Sequence, residues 1–191
     1  MTRIIAGQAR GRRLKVPRGD RVRPTTDRVR ESVFAALGSL GALDGATVLD
    51  AFAGSGALGL EALSRGAVHA TFVERHRPAA AVLGANVAAL GFEGRSRVVR
   101  GDVLGWLAAH PSESFDVAFC DPPHDFAAAV WDRLLGRLNA RILVAESDRA
   151  VVTHAAWSVI SERRWGSTVV QMARRRETGT CESPARPPEE A

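Results

Sequence analysis

Val48-Leu49-Asp50-Ala51-Phe52-Ala53-Gly54-Ser55-Gly56-Ala57-Leu58-Gly59 is the stretch that decides the fold of this chain. A short apolar run, Val48-Leu49, carries an acid at its end. A glycine turn, Ala53-Gly54-Ser55-Gly56, follows, and apolar residues then recur with helical spacing at Ala57, Leu58, Leu60 and Leu63. Strand, tight turn and helix in that order make the opening unit of a parallel, nucleotide-binding α/β sheet. Glycines without a Cβ let a ligand lie against bare backbone.

The spacing Gly54-x-Gly56-x-x-Gly59 also fits a dinucleotide site, with Glu74 twenty residues beyond Gly54. Asp50 argues against that reading. A pyrophosphate wants the positive end of a helix and no carboxylate nearby. A ligand carrying an ammonium and a sulfonium is instead favoured by an anion, and S-adenosylmethionine (SAM) is such a ligand.

Outward from this stretch, strand and helix patterns alternate. The periodicity predicts strands over 47–53, 70–74, 98–102, 115–120 and 141–145. Helices are expected over 57–65, 78–90, 103–109 and 127–138. Two further strand-like runs, 158–164 and 168–173, meet at Trp165-Gly166-Ser167 as a closing hairpin. Four strands end in acids: Asp50, Glu74, Asp102 and Asp121. Ligands of a parallel sheet bind at the carboxyl ends of its strands. The expected cofactor site is therefore Asp50, Phe52, Ala53, Gly54, Ser55, Gly56, Glu74 and Asp102. Glu74 would reach ribose hydroxyls, Asp102 an adenine amine, and Asp50 would lie near the methionine end.

Asp121-Pro122-Pro123-His124 is the most informative tetrapeptide. Two prolines after a buried strand give a rigid loop without N–H donors at those positions, so its carbonyls are free to face a ligand. A planar exocyclic amine is a poor nucleophile because its lone pair is delocalised into the ring. The Asp121 carboxylate and the Pro122 carbonyl can hold its hydrogens and aim that lone pair at a methyl group. Asp121, Pro122, Pro123 and His124 are the candidate catalytic residues.

At 191 residues and 46% hydrophobic content the chain suits one domain. Its net charge of +5 is unevenly placed. Residues 1–31 hold ten basic side chains against three acids, a local +7, whereas the remaining sixteen basic and eighteen acidic residues leave −2. A basic head on a mildly acidic body points to a polyanion. Ile4-Ile5 and Leu14-Lys15-Val16 read as short strands of a hairpin-like arm. A helix over 28–40 buries Val29, Val33, Phe34 and Leu37 and leaves Arg28 and Arg30 near its start, where phosphate would relieve their conflict with the helix dipole. The candidate RNA-binding residues are Arg10, Arg12, Arg13, Arg23 and Arg28.

The chain divides into a basic extension (1–27), a catalytic domain (28–176) and a Pro-, Glu-, Ser- and Thr-rich tail (177–191) expected to be disordered. No apolar run suits a membrane span or a signal peptide, and a cytoplasmic monomer is expected. Cys120 and Cys181 imply neither a disulfide framework nor a metal site.

On these residues the chain resembles the SAM-dependent methyltransferases that modify exocyclic amines. More closely it is similar to the bacterial small-subunit rRNA guanine-N2 methyltransferases of the RsmD type. The likeness runs from Arg3 to about Ala173 and rests on Arg3-Ile4-Ile5-Ala6-Gly7, Arg10-Gly11-Arg12, the block from Arg23 to Ser32 (RPTTDRVRES), the segment from Val48 to Ala67 and the Asp-Pro-Pro loop. The glycine motif identifies only the superfamily; the arginine-rich block makes the family specific. The resemblance implies a Rossmann-like class I fold, a seven-stranded, mostly parallel sheet with its last strand antiparallel. It also implies SAM as cofactor and, as target, a guanine of 16S rRNA within an assembled or assembling small ribosomal subunit. The family's tetrapeptide ends in an aromatic, usually tyrosine; here it is His124, and the chain has no tyrosine. Imidazole stacks over less area and changes charge near neutrality. Three other readings stay open: N6-adenine methylation of DNA or RNA, a SAM-binding RNA or assembly factor without catalysis, and a nicotinamide or flavin enzyme.

Overall fold

The computed structural model describes residues 2–17, 27–123 and 126–176. The chain opens with two short strands, β1 (Thr2–Arg3) and β2 (Arg13–Leu14), paired antiparallel, and α1 (Asp27–Ser39) follows. Then come β3 (Thr47–Asp50), α2 (Ala57–Ser64), β4 (His69–Glu74), α3 (Arg77–Leu90), β5 (Ser96–Arg100) and α4 (Val103–Ala109). The rest is β6 (Phe115–Cys120), α5 (Ala128–Arg137), β7 (Ala140–Ser147), β8 (Trp157–Trp165) and β9 (Thr168–Arg175).

The main sheet has seven strands in the order β5-β4-β3-β6-β7-β9-β8. Strands β3 to β7 are mutually parallel, and β9 runs antiparallel to both β7 and β8. From β3 the chain builds outward to β5, then crosses back to β6 and builds the other way. The order therefore reverses between β3 and β6, and the carboxyl ends of those two strands are where such a sheet takes its ligand. Asp50 pairs in register with Phe119, two residues before Asp121, so the two acid-bearing strand ends lie side by side.

The central strands are apolar on both faces because helices cover both. Phe34 and Leu37 of α1, Leu60 and Leu63 of α2, and Leu83 of α3 bury against Val48, Phe72, Phe119 and Val144. Trp106 of α4, with Trp131, Leu134 and Leu135 of α5, covers Leu49, Val73, Leu143 and Ala145 on the opposite face. Val48 and Leu49 thus point to different layers, as successive strand residues must.

Four details depart from the sequence reading. Strands β1 and β2 both begin N-terminal to the expected Ile4-Ile5 and Leu14–Val16, because Ile4 closes a tight loop with Arg12 and Gly11 while Lys15 gives its backbone to a side chain on α3. Arg30 is not a surface cation near the start of α1 but wholly buried; its Nη2 donates to the Arg3 carbonyl (2.7 Å) and to Asp27 Oδ1 (2.8 Å), and burial holds its pKa down. β3 ends at Asp50 rather than Ala53, although Ala51 and Ala53 still donate to Phe119 and Val73. A 3-10 turn at Glu93–Arg95 precedes β5. Cys120 is buried in β6, and burial pushes its thiol pKa up. Cys181 and the tail 177–191 lie outside the described residues. Among those described, no helix is long and apolar enough to cross a membrane.

Candidate active site

The glycine loop between β3 and α2 is held from three sides. Gly54 N–H donates to Glu74 Oε2 (2.8 Å), Gly59 N–H to Asp50 Oδ2 (2.9 Å), and the Ser55 carbonyl accepts from Asn86 Nδ2 (2.9 Å). Gly56 N–H closes the turn on the Ala53 carbonyl (2.6 Å). Gly54 has φ +53° and open space where a Cβ would stand, so the chain there presents bare backbone to a ligand. At Gly59 a Cβ would lie 2.3 Å from the Phe72 ring, so this glycine serves the packing of α2 on the sheet.

Asp50 is turned into the fold, 2% exposed. Burial, with Glu74 adding like charge, pushes its carboxyl up to about 7 against the opposing Gly59 hydrogen bond. Glu74 is partly buried; its other oxygen accepts from His76 N–H (2.6 Å). Each Glu74 oxygen retains a lone pair for a further donor. Asp102 is exposed and caps α4 by accepting from Gly105 N–H (3.0 Å). Phe52 is partly buried and meets Phe126 edge-on, ring centroids 5.3 Å apart.

These residues suit a cationic cofactor and do not suit a pyrophosphate. The N–H groups of Gly54, Gly56 and Gly59, which a phosphate-binding turn would offer, are already engaged, two of them by carboxylates. The donor set is acidic, and the cradle at Gly54 lies beside Glu74, whose oxygens can accept from ribose hydroxyls. SAM meets both conditions.

Asp121 and Pro122 continue β6 at the neighbouring strand end; Asp121 is partly buried, Pro122 buried and Pro123 exposed. The Pro123 carbonyl accepts from Phe126 N–H (3.0 Å). His124 itself lies outside the described residues. Phe126 stands edge-on to both Phe52 and Trp131 (5.5 Å), so its ring edges serve packing of the loop. Arg149, after β7, donates to the Phe126 carbonyl (3.0 Å) and pairs with Asp148 (2.8 Å).

The basic arm is docked on the helices that flank the glycine loop. Glu61 of α2, wholly buried, accepts from Ile5 N–H (2.6 Å), Ala6 N–H (3.0 Å) and Arg65 Nε (2.6 Å). Ser64 Oγ accepts from Ala9 N–H (3.0 Å) and donates to the Ala6 carbonyl (2.6 Å). Arg10, Arg13 and Arg28 are exposed. Arg12 is exposed too, but its Nη2 donates to the Ala89 carbonyl near the end of α3, where a cation complements the helix dipole. Arg23 lies outside the described residues. Glu61, Asn86 and Arg149 were not among the sequence candidates. Glu61 had a legible signal, an acid inside the apolar run of α2; Asn86 and Arg149 had none.

The class of protein follows from topology and site together: a Rossmann-like class I methyltransferase fold, with a glycine loop, two acids and an Asp-Pro-Pro loop at its switch point. Comparison with known proteins narrows this. A family model described as Conserved hypothetical protein 95 matches residues 2–176. The chain is 48% identical over 121 residues to Ribosomal RNA small subunit methyltransferase D of Escherichia coli K12, a match covering 63% of this chain and 59% of that relative's length. It is 37% identical over 173 residues to the protein of the same name in Haemophilus influenzae, covering 86% of this chain and 89% of the relative. The structure superposes on yhhF of Escherichia coli with a TM-score of 0.79 and 38% identity, over 91% of this chain and 97% of the other. The chain belongs to the Conserved hypothetical protein 95 family, the RsmD type that its arginine-rich block and glycine loop resemble.

Proposed function

We propose that this protein transfers a methyl group from SAM to the exocyclic N2 amine of a guanine in 16S rRNA, presented by an assembled or assembling small ribosomal subunit. One observation carries the chemistry. The register of β3 on β6 sets the glycine loop that follows β3, held by Glu74 of β4, beside the Asp-Pro-Pro end of β6.

When bound, SAM supplies a methyl carbon activated by a positive sulfur. The protein's own groups do the rest. Glu74 accepts from the ribose hydroxyls while holding Gly54, and the anions at Asp50 and Glu74 favour the cofactor's positive charge. Asp102, at the carboxyl end of β5, faces the adenine. The Asp121 carboxylate and Pro122 carbonyl accept the two amine hydrogens, so the nitrogen lone pair points out of the base plane toward the methyl. Proton loss follows once the nitrogen is cationic. The contribution is mainly position and electrostatics. His124 stacks on the flipped base, and Arg10, Arg13, Arg23 and Arg28 take phosphates. The relatives named for small-subunit rRNA methylation support the RNA target, and the basic arm supports a polyanion.

The test offers labelled SAM with unmodified small subunits, free small-subunit rRNA and duplex DNA, followed by nucleoside analysis. N2-methylguanosine formed chiefly on subunits is the expected result. N6-methyladenine in DNA would replace the substrate, and SAM binding without transfer would overturn catalysis.

A further inference from the structure

One side chain touches both the cofactor loop and the basic arm. Asn86 lies on the buried face of α3, 2% exposed, next to Leu83 and Val87. Its Oδ1 accepts from Lys15 N–H (2.9 Å), and its Nδ2 donates to the Lys15 carbonyl (2.9 Å) and to the Ser55 carbonyl (2.9 Å). The amide pairs with the Lys15 backbone as a neighbouring strand would, and its remaining N–H holds the glycine loop. A primary amide has one acceptor and two donors on one rigid plane, and here all are engaged. Aspartate lacks both donors, and alanine would leave a buried backbone N–H and two carbonyls without this partner. Pro17, two residues on, is buried, so the arm stays against the body past this contact.

We propose that Asn86 is a positioning residue that couples RNA on the arm to SAM on the glycine loop, so that the two ligands bind with positive cooperativity. The inference rests on the reading of arm and loop given above. Phosphates drawn to the exposed Arg10, Arg13 and Lys15 restrict the arm beside Asn86. The amide plane can satisfy its three bonds in only one orientation, so ordering Lys15 orders the Ser55 carbonyl. A cofactor that meets an already ordered loop loses less conformational freedom on binding. Linkage requires that SAM tighten RNA by the same factor.

Calorimetric titration of SAM into the full chain, alone and with saturating small-subunit rRNA, tests this. RNA is expected to tighten SAM by about fivefold or more, within the usual range of coupling between sites. Asn86→Asp and Asn86→Ala should each abolish that tightening. Ser64→Ala, which loosens the arm from α2 without touching Lys15 or Ser55, should retain it. Equal SAM affinity with and without RNA in the unaltered protein, or tightening that persists in both Asn86 variants, would overturn the proposal. Should the variants not fold, amide exchange on the unaltered protein decides: RNA added without SAM should slow exchange across residues 55–57, and unchanged exchange there would overturn the coupling. A protein that binds both ligands independently refutes only this inference. One that binds neither refutes the functional reading itself.

Discussion

The glycine loop and the Asp-Pro-Pro loop lie at adjacent strand ends, yet they are held in place by opposite means. The first is fastened by side chains from three elements: Asp50 from β3, Glu74 from β4 and Asn86 from α3. The second is stiffened by its own prolines and packed through Phe126, which meets Phe52 and Trp131 edge-on and accepts at its carbonyl from the exposed Arg149. A cofactor of constant shape rewards a prebuilt cradle, since preorganised groups need no rearrangement on binding. On the proposed reading, a base swung out of RNA meets a rigid pair of acceptors at Asp121 and Pro122. The difference teaches that the proposed cofactor half draws on side chains from three elements, and the proposed base half chiefly on one short loop and what packs on it.

Substitutions separate the two halves. Asp121→Ala should lower kcat by ~10²-fold or more, as loss of a transition-state hydrogen-bonding group does, while leaving SAM affinity unchanged by calorimetry. A parallel loss of SAM affinity would mean the two loops are not independent. Glu74→Ala should act the other way, raising the SAM Kd by roughly tenfold or more, the value of a charge-assisted hydrogen bond; an unchanged Kd would remove Glu74 from the cofactor site.

The third prediction uses pH. Asp50 is pushed up to about 7. A cationic cofactor favours its ionised form, so SAM affinity should rise as pH climbs through that value and level off above it. S-adenosylhomocysteine, which lacks the sulfonium charge, should follow a shallower profile, and Asp50→Asn should flatten both. Stability has the opposite sign. Between the ordinary carboxylate range and about 7 the native state holds a proton that the unfolded chain has released. Stability therefore falls as pH rises through that window, and denaturant midpoints of Asp50→Asn should lose that slope. The smallest effect is expected at Arg149. Its contacts are exposed, so Arg149→Ala should change stability by about 0.5 kcal/mol or less and shift kcat slightly without altering SAM binding. A kcat loss as large as that of Asp121→Ala would show that the base half also depends on tertiary clamping.

Much of this was legible before any coordinates. The period-2 and period-3.6 patterns placed every main-sheet strand and helix within a few residues, because buried faces leave few alternatives. Strand-end acids could be read as one site because a parallel sheet brings carboxyl ends together. One reading, the surface placement of Arg30, is overturned. Arg30 carries a charge that surface statistics send outward, yet it is wholly buried, its Nη2 donating to Asp27 one helical turn earlier and to the Arg3 carbonyl, a partner 27 positions away. Arg12 reads as a phosphate ligand; it is exposed, and one of its donors also meets the Ala89 carbonyl of α3.

By itself the sequence determined the order of elements, the glycine turn, the acids at the strand ends and the concentration of positive charge in the first 31 residues. These depend on local conformational preference and on hydrophobic period, which each segment carries with it. Tertiary structure alone decided that β9 inserts between β7 and β8, that the N–H groups of Gly54 and Gly59 belong to Glu74 and Asp50, and that Asn86 joins the arm to the cofactor loop. Those are hydrogen bonds between residues as many as 71 positions apart. No local preference encodes such a partner; it is chosen only when packing removes water and every buried polar group must find one.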